Sequence, residues 1–169
     1  MLKSLLIGAG AALLLSAPVL ACTEVSSATV KLTGCIDAQW GQIEGSGAIE
    51  FNYLTSDQNF ALQLITETAV LPAQALHDAV IANAVSSIGG NADGVKTIAE
   101  RVESIDGRPF NVLQYEVTDA NGLTISYQNF YLSQPGFGTL QILVFSLPPD
   151  AAAAGFKAGQ FASTIKIGG

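Results

Sequence analysis

The sequence predicts an α+β domain in which a single antiparallel β-sheet, a hairpin pair plus a long meander, is covered by two helices. Between Thr97 and Leu147, runs rich in β-branched and aromatic residues are separated by short turns. These connections are too short for parallel crossovers, so antiparallel pairing is expected. Apolar residues also recur at helical spacing after Pro72 and after Asp150. The run 139–147 is apolar at almost every position, which predicts cover on both faces.

The meander divides at the turns 106–108, 120–122 and 134–138. Charged residues interrupt the run from Val95 to Ile105, which indicates an exposed or edge strand. In the run after Leu123 the apolar positions change parity, and this predicts a β-bulge near Asn129.

The hairpin pair precedes the first helix. Alternating runs at 49–53 and 60–64, separated by the turn 56–59, predict two paired strands. Upstream, residues 29–35 are expected to form a first strand. We expect Trp40 to cap the core from a loop or hairpin, and stacking on a ligand is its alternative role.

The first helix is expected over about 72–88, with Pro72 at its first position and Gly89 and Gly90 at its end. Its predicted apolar face consists of Leu76, Val80, Ile81, Ala84, Val85 and Ile88. Ile81→Asp is therefore expected to abolish cooperative folding. Asp150 is the predicted N-cap of the second helix, in which Phe156, Phe161 and Ile165 are expected to supply bulk.

Residues 1–21 have the pattern of a secretory signal peptide. Lys3 precedes an apolar stretch from Leu5 to Leu15, and small residues follow. The stretch is shorter than the roughly 20 apolar residues that a spanning helix needs. We therefore expect export, a tether over 22–28 and a single globular domain over 29–169.

Cys22 directly follows this segment. Val19-Leu20-Ala21-Cys22 resembles a bacterial lipobox, in which the cysteine becomes the diacylglyceryl-modified first residue. The sequence favours lipidation of Cys22, with Cys35 then a buried free thiol. The alternative is a disulfide between Cys22 and Cys35, which an oxidising compartment permits. The two exclude each other, because a thioether-linked sulfur cannot form a disulfide.

The charge of the chain argues against nucleic acid as a partner. The net charge is −7, and without Lys3 the chain has 6 Lys and Arg against 14 Asp and Glu. An acidic domain repels phosphate backbones, and the sequence has no basic cluster to offset this.

The sequence contains no recognisable catalytic or metal motif. His77 is the only histidine, so a typical zinc cluster is not expected. There is no Gly-x-Ser-x-Gly elbow and no Asp-x-Asp-x-Asp-Gly calcium loop. A polar surface role is expected for His77, and the chain is predicted to be neither an enzyme nor a cofactor or metal protein. Tyr115, Tyr127 and Tyr131 are expected to pack between strands, with a ligand pocket as their alternative role.

The order of elements resembles the PsbP-like α/β/α sandwich, and within it the DcrB-type bacterial lipoproteins. The segments that carry the resemblance are Gly107-Arg108-Pro109-Phe110, the apolar strand 140–147, and the closing helix 156–165 with Phe161, Ser163 and Ile165. Members of this group are mostly non-enzymatic accessory or protein-binding domains. The group has no catalytic signature, so the resemblance implies no site residues.

These observations predict an exported, lipid-anchored, non-enzymatic binding or accessory domain on the periplasmic side of a bacterial cell envelope. The expected partners are the membrane, through the anchor, and another envelope protein. The alternative is a soluble periplasmic small-molecule carrier or enzyme, with a pocket near Tyr127 and Arg101 in the meander.

Overall fold

A computed structural model describes residues 22–168, and the predicted signal peptide lies outside the described residues. The strands are β1 (Cys22–Ser27), β2 (Leu32–Asp37), β3 (Trp40–Ile43), β4 (Ile49–Thr55), β5 (Ala61–Glu67), β6 (Val95–Ile105), β7 (Arg108–Thr118), β8 (Thr124–Gln134), β9 (Gly138–Ser146) and β10 (Lys166–Ile167). The α-helices are α1 (Ala73–Ser87) and α2 (Ala151–Thr164). Pro148–Asp150 forms a 3₁₀ turn before α2.

Two antiparallel sheets replace the single sheet that the sequence predicts. The large sheet has seven strands in the order β3-β4-β5-β9-β8-β7-β6, and the small sheet has three in the order β1-β2-β10. The α+β class, the hairpin pair and the long meander are confirmed. The second sheet was missed because β10 has only two residues and pairs with β2, more than a hundred positions away.

Residues 22–28 do not form a tether. They make up β1 and the start of a turn, and β1 pairs with β2 from Cys22 opposite Asp37 to Ser27 opposite Leu32. The side chain of Val25 is fully buried in the core, which holds this segment against the domain. The strand expected over 29–35 accordingly begins later, at Leu32.

The large sheet is covered on both faces. The small sheet and α2 lie on one face, where Val25, Leu32 and Phe161 share a core with Leu62 and Ile142 of the large sheet. Trp40 belongs to the same core and is 5% exposed, as its predicted capping role requires. Helix α1 lies on the other face with a smaller core.

Helix α1 begins and ends within one residue of the predicted bounds. Leu76, Val80 and Ala84 of the predicted apolar face are buried as expected. The other three predicted core positions, Ile81, Val85 and Ile88, are only half-buried. The reason is that α1 packs mainly over β6, β7 and β8 and leaves much of this sheet face open.

The predicted bulge near Asn129 is wrong. β8 keeps one register with β7 and with β9 through this position. The apolar parity changes because the centre of β8 is buried on both faces, with Phe130 towards α2 and Tyr131 towards α1. Strand β6 is the outer strand of the large sheet, as its charges predict.

The turn between β6 and β7 joins the two sheets. Asp106 and Gly107 both have positive φ, at 50° and 73°. The Asp106 carboxylate accepts a hydrogen bond of 2.9 Å from the backbone N–H of Ile167 and one from Lys166, and these bonds lower its pKa. The carboxylate thereby holds β10 next to the large sheet.

Within residues 22–168, neither α-helix has the length and apolar character needed to cross a bilayer.

Candidate functional site

A shallow groove of about 530 Å³ runs between α2 and the outer strands of the large sheet. It exists because α2 packs mainly on β9 and β2 and leaves the α2-side face of β6 and β7 open. Arg101 and Glu103 of β6 line one side, and Phe156 of α2 lines the other. Phe156 is 67% exposed, so the expectation that it fills the core is wrong.

The α2 groove has a polar floor and one apolar edge. The Arg101 Nε donates to Glu103 Oε1 at 2.6 Å, so the two charges at the β6 side are paired. At the floor, Gln128 lies so close to Gly155 that a Cβ there would be 2.5 Å from its Oε1. The small residue therefore lets α2 approach the sheet, while Phe156 projects beside the opening.

A second cavity, the α1 cleft, lies on the opposite face of the sheet and has a volume of about 310 Å³. Its walls come from α1 and from parts of β4, β5, β7, β8 and β9. The lining residues used below are Glu67, Ser87, Tyr115, Tyr127, Asn129 and Gln141. The cleft contains the Tyr127 that the sequence associates with a pocket, whereas Arg101 lines the α2 groove instead.

Asn129 and Gln141 place two amides on the floor of the α1 cleft. The Asn129 Nδ2 donates to Gln141 Oε1 at 2.8 Å across β8 and β9. Asn129 is 1% exposed, and within residues 22–168 its Oδ1 has no hydrogen-bond partner. A buried acceptor without a partner lowers the stability of the fold by about 1–3 kcal/mol, and such acceptors are therefore rare in folded domains.

Two tyrosines form an aromatic wall in the same cleft. The rings of Tyr115 and Tyr127 stack with centroids 5.1 Å apart and an interplanar angle of 7°. Burial raises the pKa of both hydroxyls above the ordinary value, so both are neutral at neutral pH. Tyr131 is buried against α1, away from these two rings, and belongs to the core as predicted.

His77 lies between acidic groups of α1 and β6. Its Nδ1 is 3.3 Å from Asp78, and its Nε2 is 3.5 Å from Glu100. The Nε2 makes no hydrogen bond within residues 22–168, and the imidazole lies outside the lining of both cavities. Within residues 22–168 no three His, Cys, Asp or Glu side chains are grouped as metal ligands.

Cys22 and Cys35 form a disulfide that links β1 to β2, with their Cα atoms 5.6 Å apart. This Cα separation is the usual one for a disulfide. Thr164 of α2 accepts from the Cys35 N–H at 2.9 Å and donates to its carbonyl at 3.0 Å, so the bridge is also tied to α2. This disulfide is the second of the two alternatives for Cys22, and lipidation of Cys22 stays a prediction.

Sequence reasoning missed Phe156, Asn129, Gln141 and Glu67 as site residues. A signal existed for Phe156, since it lies five residues before Phe161 and so falls off the face that Ala154, Ala158 and Phe161 bury. The amides were visible as polar residues within apolar strands. Nothing in the sequence showed that they meet, because their contact depends on the pairing of β8 with β9.

No protein-family model matches the chain, and no curated protein matches it. Solved structures do match. The solution structure of cyanobacterial PsbP (CyanoP) from Synechocystis sp. PCC 6803 has a TM-score of 0.62 at 9% identity, covering 96% of this chain and 99% of that one. The Saccharomyces cerevisiae Ran-binding protein Mog1p also has a TM-score of 0.62 at 9% identity, covering 88% of this chain and 96% of that one.

LpqN of Mycobacterium tuberculosis, described as involved in cell envelope biogenesis, has a TM-score of 0.57 at 12% identity over 88% of this chain and 91% of that one. The expected likeness to DcrB-type lipoproteins stays a prediction. Because the likeness extends over nearly the whole described chain and nearly the whole of each neighbour, this chain has the PsbP-like fold.

Proposed function

We propose that this chain is an exported accessory domain of the bacterial cell envelope that acts by binding another protein and not by catalysis. The N-terminal segment 1–21, with its signal-peptide pattern, supports export to the periplasmic side. Two structural neighbours support the role. Mog1p is a Ran-binding protein, and LpqN is involved in cell envelope biogenesis.

The observation that carries the proposal is the exposed Phe156 beside the α2 groove. Phe156 is 67% exposed, so most of its apolar ring surface is in water. An interface that covered the ring would remove this surface from water and stabilise the complex. Aromatic residues are enriched at interface centres, where a polar rim surrounds them. Here the Arg101–Glu103 pair would form part of the rim, and the amide of Gln128 would lie on the floor. The partner that fits is an apolar segment of another envelope protein.

The disulfide determines whether Cys22 is available to carry a lipid anchor. A lipid on Cys22 would require the bond to Cys35 to be open. It would also bring the small sheet directly to the bilayer, because β1 begins at Cys22 itself and no tether separates the two. We therefore propose the disulfide-linked domain as the functional form, in place of the lipid-anchored form that the sequence favours.

A pair of surface substitutions tests the protein-binding role. The wild type, Phe156→Glu and the matched control Leu123→Glu are expressed in the native organism, crosslinked and purified. Leu123 is 53% exposed in a turn away from the groove, so both substitutions leave the core intact. We expect one envelope protein to crosslink to the wild type and to Leu123→Glu, and to be lost with Phe156→Glu. Equal capture by all three proteins would refute the groove as the binding surface.

A further inference from the structure

We infer that the α1 cleft is a binding site for a small organic ammonium ion with an apolar body. The first reason is its size. A volume of about 310 Å³ is at the lower end of the range for small-molecule sites. The cleft lies on the face of the sheet opposite the α2 groove, so this site is separate from the proposed protein-binding surface.

The second reason is charge. Among the residues that line the cleft, Glu67 is the single charged side chain, and it is a carboxylate. The lining contains no lysine, arginine or histidine, so an anion would meet no positive side chain. The net charge of the chain is −7, which also favours the approach of a cation.

The third reason is the unpartnered acceptor. Asn129 Oδ1 is buried on the cleft floor, and its amide nitrogen is already engaged with Gln141. This oxygen can accept a hydrogen bond, and an ammonium N–H is a donor that can satisfy it. Tyr115 and Tyr127 stack on each other, and the parts of the two rings that line the cleft add an aromatic wall for the apolar body of the ligand.

The test uses 2-phenylethylammonium chloride as the probe, with phenylacetate and 2-phenylethanol as anionic and neutral analogues of similar shape. Binding to the full exported domain is measured by titration with two-dimensional amide NMR. We expect the ammonium probe to bind and to shift the resonances of β8, β9 and α1. The neutral analogue should bind at least tenfold more weakly, and the anion should not bind.

Two substitutions locate the site without disturbing the core. Glu67 is half-buried at the cleft wall, and Glu67→Gln should weaken binding of the ammonium probe by about tenfold or more, because a hydrogen bond to a carboxylate is stronger than one to a neutral amide. Glu24→Gln is the matched control, because Glu24 is exposed on the small sheet and the change in net charge is the same. Ser87 is exposed at the cleft wall, so Ser87→Trp should block the cleft.

Three results would overturn the inference. One is no detectable binding of the ammonium probe. Another is binding of phenylacetate or 2-phenylethanol as tight as that of the ammonium ion, which would remove the preference for a cation. The last is ammonium binding that both Glu67→Gln and Ser87→Trp leave unchanged while the NMR spectra show folded protein, which would place the site elsewhere.

Discussion

At the residue scale, Gly138 shows how one position without a side chain determines a strand junction. It opens β9 with a φ of +103°. A Cβ at this position would collide with the backbone of Glu67 and Thr68, where the neighbouring strand β5 ends. Gly136, in the turn that precedes β9, also has positive φ, at +78°. A Cβ at Gly136 would meet open space.

This pair predicts different costs for the same substitution. Gly136→Ala should lower the free energy of unfolding by about 1 kcal/mol, because only the backbone conformation is unfavourable. Gly138→Ala should cost about 1–3 kcal/mol more, since the new methyl meets the Glu67 carbonyl and β5 must move away from β9. Urea unfolding of both variants measures the two changes in the free energy of unfolding. Equal decreases would show that β5 and β9 can move apart here without cost.

At the element scale, α1 is the helix whose partial cover creates the cleft. It packs mainly on β6, β7 and β8, and the cleft lies between the helix and the sheet, where β4, β5 and β9 complete the walls. The helix is consequently buried along a narrow line through Leu76, Val80 and Ala84. The wider apolar face that the sequence predicts is half open to solvent.

Three consecutive aspartate substitutions in α1 test this orientation. Val80 is 5% exposed, so Val80→Asp buries an unpaired charge and should abolish the cooperative unfolding transition. At half-buried Ile81 the carboxylate can reach water, so Ile81→Asp should cost about 1–3 kcal/mol and leave the transition cooperative. The exposed Ala82→Asp is the control and should cost under about 1 kcal/mol. Circular dichroism during urea unfolding ranks the three variants by their loss of stability. A larger loss for Ile81→Asp than for Val80→Asp would contradict the assigned buried face of α1.

At the scale of the whole molecule, the disulfide joins the N-terminal strand to the rest of the domain. The bridge closes a short loop, with Cys22 and Cys35 separated by 13 positions. Helix α2 holds the same point through Thr164. The small sheet thus depends on the bridge, on α2 and on Asp106, which binds β10.

Intact-mass analysis of the native protein is expected to give the mature chain minus two hydrogens. Cys35→Ser should then lower the free energy of unfolding by about 3 kcal/mol, as expected for a loop of this length. A reductant should destabilise the wild type by the same amount and leave Cys35→Ser unchanged. A native mass raised by a diacylglyceryl group would contradict the bridge and establish the lipid anchor.

The sequence alone determined the strands of the meander, the hairpin pair, both helices and the edge position of β6. These follow from local periodicity and turn chemistry, which act over a few residues. It could not resolve Cys22, because a lipobox and a disulfide require the same cysteine. The prediction for Phe156 was also wrong, although the helical spacing places Phe156 off the buried face of the second helix.

Only the tertiary structure decided how the sheets divide, how far α1 covers the sheet, and which polar side chains share a cavity. Asn129 and Gln141 are twelve positions apart, yet they meet through the register of β8 with β9. Glu67 joins them at the cleft because β5 pairs with β9 across an intervening α-helix and three strands. Such contacts depend on strand order and register, which are set by the packing of the whole chain and leave no local pattern in the sequence.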